Sequence, residues 1–310
     1  MSRMGTKSVR VSEDQYCCYR RLENNGIRVI WELTGRCNLR CKHCFVNKKE
    51  KNTDIEKSVA LKICRELCEC EVDKVMITGG EPLLYKYLPD VISYLRRNSS
   101  MIIDITTNGI LFTDEMIDLF SQVGIDELSV SLDGPSEIYR KIRGEDDLEI
   151  VLRNVKKLSS AGVQVDAIMT VNRINQKFVE KTIELAYDNC FASITISNLL
   201  KLYNSEFDYD QLCLSVDELT ALKVLIDKQR QIFGSTFPIR SVGFSDVRGT
   251  NKICVKCNNP SLYAIDREGM MLKCLNANHD DIMRVNLRDH TVLESMQIID
   301  RGNAVRCFMA

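Results

Sequence analysis

Three cysteines stand within eight residues, in Thr34-Gly35-Arg36-Cys37-Asn38-Leu39-Arg40-Cys41-Lys42-His43-Cys44, spaced C-x3-C-x2-C. Thiolates are the preferred ligands of iron–sulfur clusters, and a cluster of four irons takes four ligands. A loop that supplies three leaves one iron open to something that is not protein. An open position is where a metal site does chemistry rather than structural work. Three buried structural cysteines on a turn are the alternative, but a triple at fixed spacing is much rarer than single buried thiols.

A second constellation lies toward the C-terminus. Cys254-x2-Cys257 is followed by Cys274 and Cys307. Leu262–Asp266 and Met270–Cys274 flank Arg267-Glu-Gly269, the pattern of a hairpin with glycine closing its turn. Such a hairpin brings Cys257 and Cys274 to one end of two paired strands. Structural zinc, a disulfide and a further iron–sulfur cluster are all compatible with these cysteines alone. Cys64 and Cys68, four apart, share a helix face and read as small apolar fillers rather than a metal pair. Cys190 and Cys213 lack metal-like spacing. Each reads as an ordinary cysteine or, in the functional alternative, as a thiol that returns a hydrogen atom to a substrate.

The elements that must position these residues are legible in the patterning. The chain has 310 residues, is 45% hydrophobic and 27% charged, and carries net charge −1. That is enough for a full core, with one large domain and a smaller one expected. Near-zero charge argues against a nucleic-acid surface, and no apolar run is long enough to span a membrane. The first ten residues lack the apolar core of a signal peptide, so the 14 cysteines point to metal-bound thiolates in a reducing cytoplasm. Three scattered histidines (His43, His279, His290) make no His-based metal site.

Residues 1–27, with Cys17 and Cys18, read as a lead-in. Strands are expected at Arg28–Leu33, Lys74–Thr78, Met101–Thr106, Asp126–Ser131, Val163–Val171 and Ser193–Ser197. Helices alternate with them, the first opened by a capping box at Thr53–Glu56 and a later one by Ser215–Glu218. Alternation of this kind implies parallel βαβ units with right-handed crossovers, and the apolar runs fit strands covered on both faces. Ligands of such sheets bind at the C-terminal strand ends. Gly79-Gly80-Glu81-Pro82, Thr107-Asn108-Gly109 and Ser131-Leu132-Asp133-Gly134 all fall there. Gly234–Pro238 reads as a linker, which divides a core of 28–234 from a second domain of 235–310.

The cysteine loop together with Gly79-Gly80-Glu81-Pro82 resembles the radical S-adenosylmethionine (radical SAM) family. The resemblance implies a partial (β/α)6 TIM-like barrel over residues 28–200. It implies a 4Fe–4S cluster on Cys37, Cys41 and Cys44 whose open iron binds the amino and carboxylate groups of SAM. It further implies reductive cleavage of SAM to a 5′-deoxyadenosyl radical, fed by a donor such as flavodoxin or ferredoxin. Gly79, Gly80 and Glu81 are then expected at the methionine end of SAM, and His43 near adenine. Ser131 is expected as a SAM contact, with Asp133 as a ribose acceptor or a turn cap. Asn108 is a polar contact or a turn residue, and Arg143 a clamp on the SAM carboxylate or a solvated helix end.

The run from Cys257 to Cys274, with Asn286–Asp289, resembles the twitch and SPASM extensions. These carry auxiliary 4Fe–4S clusters, here on Cys254, Cys257, Cys274 and, as fourth ligand, Cys307. The truncated twitch form is the better match. Relatives with such extensions cross-link, oxidise or epimerise peptides or small natural products, and that is the expected activity. A non-catalytic iron–sulfur or zinc protein on the same scaffold is the competing reading. The later cysteines are also similar to those of the GTP-cyclising enzymes of molybdenum-cofactor synthesis, which end in a glycine pair. This chain reads Cys307-Phe-Met-Ala310, so a different substrate is expected.

Overall fold

The computed structural model describes residues 26–44, 53–199, 209–244, 261–273, 275 and 282–302. Strands β1 (Arg28–Glu32), β2 (Lys74–Thr78), β3 (Ile102–Thr107), β4 (Glu127–Ser131), β5 (Val165–Val171), β6 (Ser193–Asn198) and β7 (Ile239–Val242) pair in parallel, in chain order. Between them lie α1 (Lys57–Glu69), α2 (Leu88–Asn98), α3 (Asp114–Val123), α4 (Ser136–Arg143), α5 (Leu148–Ser160), α6 (Val179–Asp188), α7 (Tyr209–Leu212) and α8 (Val216–Phe233). Then follow β8 (Leu262–Ile265), β9 (Met270–Leu272), β10 (Val285–Asn286) and α9 (Val292–Arg301).

The sheet order is β10-β9-β8-β1-β2-β3-β4-β5-β6-β7, so its two ends do not meet. The fold is an open, TIM-like partial barrel with an antiparallel hairpin at one edge. Seven strands follow one another in parallel in chain order, one more than the six expected. Ile239–Val242 pairs with β6, and the sheet continues past the linker read at 234–238. At the other edge β8 pairs in parallel with β1, with Arg28 opposite Leu262. The hairpin therefore extends the barrel sheet itself.

Strand alternation explains the core. Val29, Trp31, Val75, Ile77, Ile103, Ile105, Leu128 and Val130 point to one face and are buried. Ile63, Leu67, Ile92, Leu95, Phe120 and Val155 meet them from the helices. Each such side chain contributes about 1.5–3 kcal/mol by leaving water, so this helix-facing layer dominates stability.

The other face is not the apolar surface that the continuous runs suggested. Near the strand N-termini, Lys74 reaches Asp104 at 2.7 Å and Glu127 at 2.9 Å. Ser193 donates to Asp166 and accepts from Arg240, both at 2.5 Å. Burial disfavours the Lys74 charge, but the carboxylates of Asp104 and Glu127 outweigh it and raise its pKa. This charged layer closes the strand N-terminal end. Above it, Thr78, Thr106, Ser131, Thr170 and Ser197 are the last inward-facing residues of β2 to β6, and all are half-buried. Serine and threonine in short strands do not break a β pattern, so a polar inner face is compatible with the strand runs.

Helix ends follow local chemistry. Thr113 caps α3, and Ser215 with Glu218 forms the expected capping box of α8. The box expected at Thr53–Glu56 does not form; α1 begins at Lys57 without a side-chain cap. Those residues brace the cysteine loop instead.

Candidate active site

The cysteine loop leaves β1 at its C-terminal end and is held from two sides. On one side, the backbone N–H groups of Gly35 and Ile55 donate to the carbonyls of Thr53 (2.8 Å) and Leu33 (3.2 Å). The Arg36 guanidinium binds Asp54 through both carboxylate oxygens, at 2.9 and 2.6 Å, and also donates to the Leu84 carbonyl at 2.6 Å. A two-pronged pair of this kind fixes orientation as well as position. On the other side, Gly80 and Glu81 donate their backbone N–H groups to the carbonyls of Thr34 and Arg36, each at 2.7 Å.

Those two bonds account for the glycine pair. Gly79 has φ +144°, a conformation L side chains rarely adopt, and a Cβ there would lie 2.5 Å from the Thr34 carbonyl oxygen. A Cβ on Gly80 would lie 2.2 Å from the Arg36 oxygen. The glycines let two backbones meet. Glu81 is buried and fully engaged: it accepts from Thr107 Oγ1 (2.5 Å), the Asn108 N–H (2.8 Å) and the Leu83 N–H (3.1 Å). Burial pushes its carboxyl above the usual range, with these bonds opposing. Its role here is to tie the ends of β2 and β3 together. Asn108 continues the tie, donating to Asn38 inside the cysteine loop at 2.8 Å.

Cys41 is buried, and Cys37 and Cys44 are half-buried. Burial raises the Cys37 thiol to about 11, against a hydrogen bond from the Leu39 N–H, with further upward pushes from Glu81, Cys41 and Cys44. The thiols are thus close enough to feel one another's charge. Among the described residues no three His, Cys, Asp or Glu side chains converge on a single-ion position. A cluster that takes each thiolate on a different iron does not need such convergence, so this donor set fits a polynuclear iron–sulfur group.

Three expected contacts form one group behind Cys41, with Asp133 and Arg143 buried and His43 partly so. Asp133 is fully buried; its Oδ2 lies 2.5 Å from Arg143 Nη2, and its Oδ1 accepts from the Thr170 N–H at 3.0 Å. Its carboxylate is thus directed at Arg143 and the β5 backbone. Arg143 is not a solvated helix end, since its second terminal nitrogen, Nη1, faces Cys41 Sγ at 3.6 Å. His43 Nε2 stands 3.7 Å from Asp133 Oδ2. Burial lowers the imidazole pKa, Asp133 opposes that and Arg143 reinforces it. Ser131 ends β4 and faces the lumen.

The two thiols considered as hydrogen donors separate. Cys190 lies between α6 and β6, at the N-terminal end of the strands, and is exposed. It is on the wrong end of the barrel for chemistry at the cysteine loop. Cys213 follows α7, whose Leu212 carbonyl accepts from the Arg173 N–H beyond β5 (2.9 Å), so it belongs to the C-terminal end. Cys64 is buried in the core, as expected of an apolar filler. Cys17, Cys18, Cys254, Cys257, Cys274 and Cys307 lie outside the described residues.

Sequence reading missed the hydroxyl rim. Among the described residues Thr78, Thr106, Ser131 and Thr170 have side chains without a hydrogen-bond partner, all facing the lumen beside the loop. The signal was present: five successive strands end inward on serine or threonine. A surface recess of about 750 Å³ between α3 and α5 lies on the outer helical face and shares no residue with the cysteine loop.

Residues 31–186, half of the chain, match the family model described as the radical SAM superfamily. The chain is 25% identical over 244 residues to the Fe-coproporphyrin III synthase of Methanosarcina barkeri, covering 76% of this chain and 57% of that protein. It is 34% identical over 136 residues to a probable GTP 3′,8-cyclase of Methanococcus maripaludis, covering 42% of this chain and 45% of that one. It thus spans about half the length of these curated relatives. Among solved structures, Streptococcus suis SuiB bound to S-adenosylmethionine aligns with TM-score 0.72 and 14% identity, over 87% of this chain and 65% of that one. Native anSMEcpe with bound AdoMet aligns with TM-score 0.70 and 19% identity, over 90% and 84%. Identities this low speak to the fold alone.

Proposed function

The chain belongs to the radical SAM superfamily, and from that premise we propose that it is an enzyme acting on a C–H bond of a peptide or small natural product. When bound to Cys37, Cys41 and Cys44, a 4Fe–4S cluster supplies the electron that cleaves S-adenosylmethionine to methionine and a 5′-deoxyadenosyl radical, which abstracts the hydrogen. Oxidation, cross-linking and epimerisation are the outcomes this chemistry allows. One observation carries the reading: the three-thiol loop is pinned by Gly79 and Gly80 at the C-terminal strand ends, against a polar, half-open lumen. A protein that only transfers electrons has no use for such a lumen.

The chain's own residues divide the work. Gly80, Glu81 and Arg36 hold the loop rigid. Asn108 anchors Asn38 within it. Ser131 and its neighbours on the rim offer hydroxyls to SAM and substrate, which favours a substrate rich in neutral hydrogen-bonding groups. Cys213 is the candidate thiol for returning hydrogen in an epimerisation. The twitch-like motif supports an auxiliary cluster on Cys254, Cys257, Cys274 and Cys307. The hairpin between the middle two is present, with Ala264 opposite Leu272. Among the described residues no helix is long and apolar enough to cross a membrane. A cytoplasmic enzyme reduced by flavodoxin or ferredoxin is the setting we propose.

The test is anaerobic reconstitution with iron and sulfide, then dithionite and SAM. 5′-Deoxyadenosine is expected from the wild-type chain and not from Cys37→Ala. No product above that control overturns the reading. Iron and zinc analysis tests the auxiliary site: two clusters' worth of iron is expected, and one cluster with bound zinc excludes it.

A further inference from the structure

We propose that Arg143, oriented by the buried carboxylate of Asp133, donates a hydrogen bond to the Cys41 thiolate and thereby sets the reduction potential of the cluster on that loop. The inference rests on the reading above that Cys37, Cys41 and Cys44 hold an iron–sulfur cluster.

The arrangement is built for one orientation. Asp133 sits just past β4 and is locked to β5: Oδ1 accepts from the Thr170 N–H at 3.0 Å, and its backbone carbonyl accepts from Asn175 Nδ2 at 3.1 Å. Asn175 also donates to the Thr170 carbonyl at 3.0 Å. Asp133 Oδ2 holds Arg143 Nη2 at 2.5 Å, which leaves Nη1 facing Cys41 Sγ at 3.6 Å. The end of α4 is tied to the loop independently, since the Lys42 N–H donates to the Ile142 carbonyl at 2.9 Å. Side-chain exposure is 9% for Arg143 and 0% for Asp133, so water screens neither charge. The guanidinium thus stands in contact with both the carboxylate and the cysteine sulfur.

A donor to a cluster cysteine, and a nearby positive charge, stabilise the reduced, more negative cluster and raise its potential. The carboxylate opposes this from farther away. Removing the cation lowers the potential, and removing the carboxylate, which frees the guanidinium from the orientation that points it at the sulfur, lowers it less because an opposing charge is lost as well. A merely structural pair has no reason to do that.

The experiment is a redox titration of the reconstituted protein without SAM, followed by electron paramagnetic resonance. Cys254→Ala/Cys257→Ala is the background in wild type and variants, so that one cluster is read. Arg143→Gln is expected to shift the midpoint to more negative potential, and Asp133→Asn, which frees the guanidinium, to shift it the same way by a smaller amount. Arg143→Lys, which keeps the charge and loses the second nitrogen, is expected to shift it less than Arg143→Gln, and it serves should the neutral variants fail to fold. Unchanged midpoints in the variants that load a cluster, or shifts to more positive potential, overturn the proposal. So does a loss of SAM affinity with an unmoved SAM-free midpoint, which would make Arg143 a carboxylate clamp only. Absence of any cluster in the wild-type protein is a separate failure, that of the underlying reading.

Discussion

At the scale of single residues, the most demanding position is Gly80. A methyl group there would face a backbone oxygen at 2.2 Å, and backbone cannot turn aside as a side chain can. Gly80→Ala is expected to cost about 1–3 kcal/mol, the range for overpacked sites. The denaturation midpoint should fall, and the loop should load iron poorly. Cys37 makes a second prediction. Its thiol pKa is raised to about 11 by burial, above the unfolded value. A group raised on folding stabilises the fold below the unfolded pKa, and that contribution is lost as pH climbs toward the folded one. The metal-free chain should therefore lose stability between about pH 8.5 and about pH 11. Urea midpoints across that window should fall less steeply in Cys37→Ser.

At the scale of elements, the strand-end logic was legible. Lys74–Thr78 forms as a strand over those residues, and Leu262–Ile265 with Met270–Leu272 forms the hairpin. The cysteine loop and glycine pair also stand where strand-end reasoning put them. What was hidden depended on contacts between distant segments. Thr53–Glu56 has a capping-box sequence, but Asp54 is claimed by Arg36 and Thr34, so the local preference loses to a tertiary one. Asp133 and Arg143 each had a sensible solitary role, and only folding shows that they answer each other. The charged layer at the strand N-termini was hidden for the same reason. It predicts that Lys74→Met leaves Asp104 buried and uncompensated, a loss of about 3–5 kcal/mol. Pairing it with Asp104→Leu should recover much of that, as a double-mutant denaturation cycle can measure.

At the scale of the whole molecule, the decisive contact is β8 on β1. The strand that launches the cysteine loop is flanked on both sides, by β2 and by β8. Arg267, in the hairpin turn, reaches Glu32 at the C-terminal end of β1, at 3.4 Å. The C-terminal segment is thus part of the barrel wall. Ending the chain at residue 244 would bare one edge of β1, an open template for pairing with other chains. That variant is expected to collect in the insoluble fraction or elute as large species on size exclusion, whereas an independent C-terminal module would leave the remaining core monomeric.

The hydroxyl rim has a consequence for survival. A carbon radical strong enough to break an unactivated C–H bond also threatens the walls around it. Hydroxyl O–H bonds are stronger than the methyl C–H bond that such a radical gains, so they make poor donors. Thr78, Thr106, Ser131, Thr170 and Ser197 thus point unreactive O–H groups where five strands open toward the loop, but the C–H bonds beside their oxygens are weak enough to be attacked. The exposed thiol of Cys190, an easy donor, sits at the far end of the strands. The same positions that offer hydrogen bonds to a substrate must therefore hold its target C–H nearer the radical than their own C–H bonds stand.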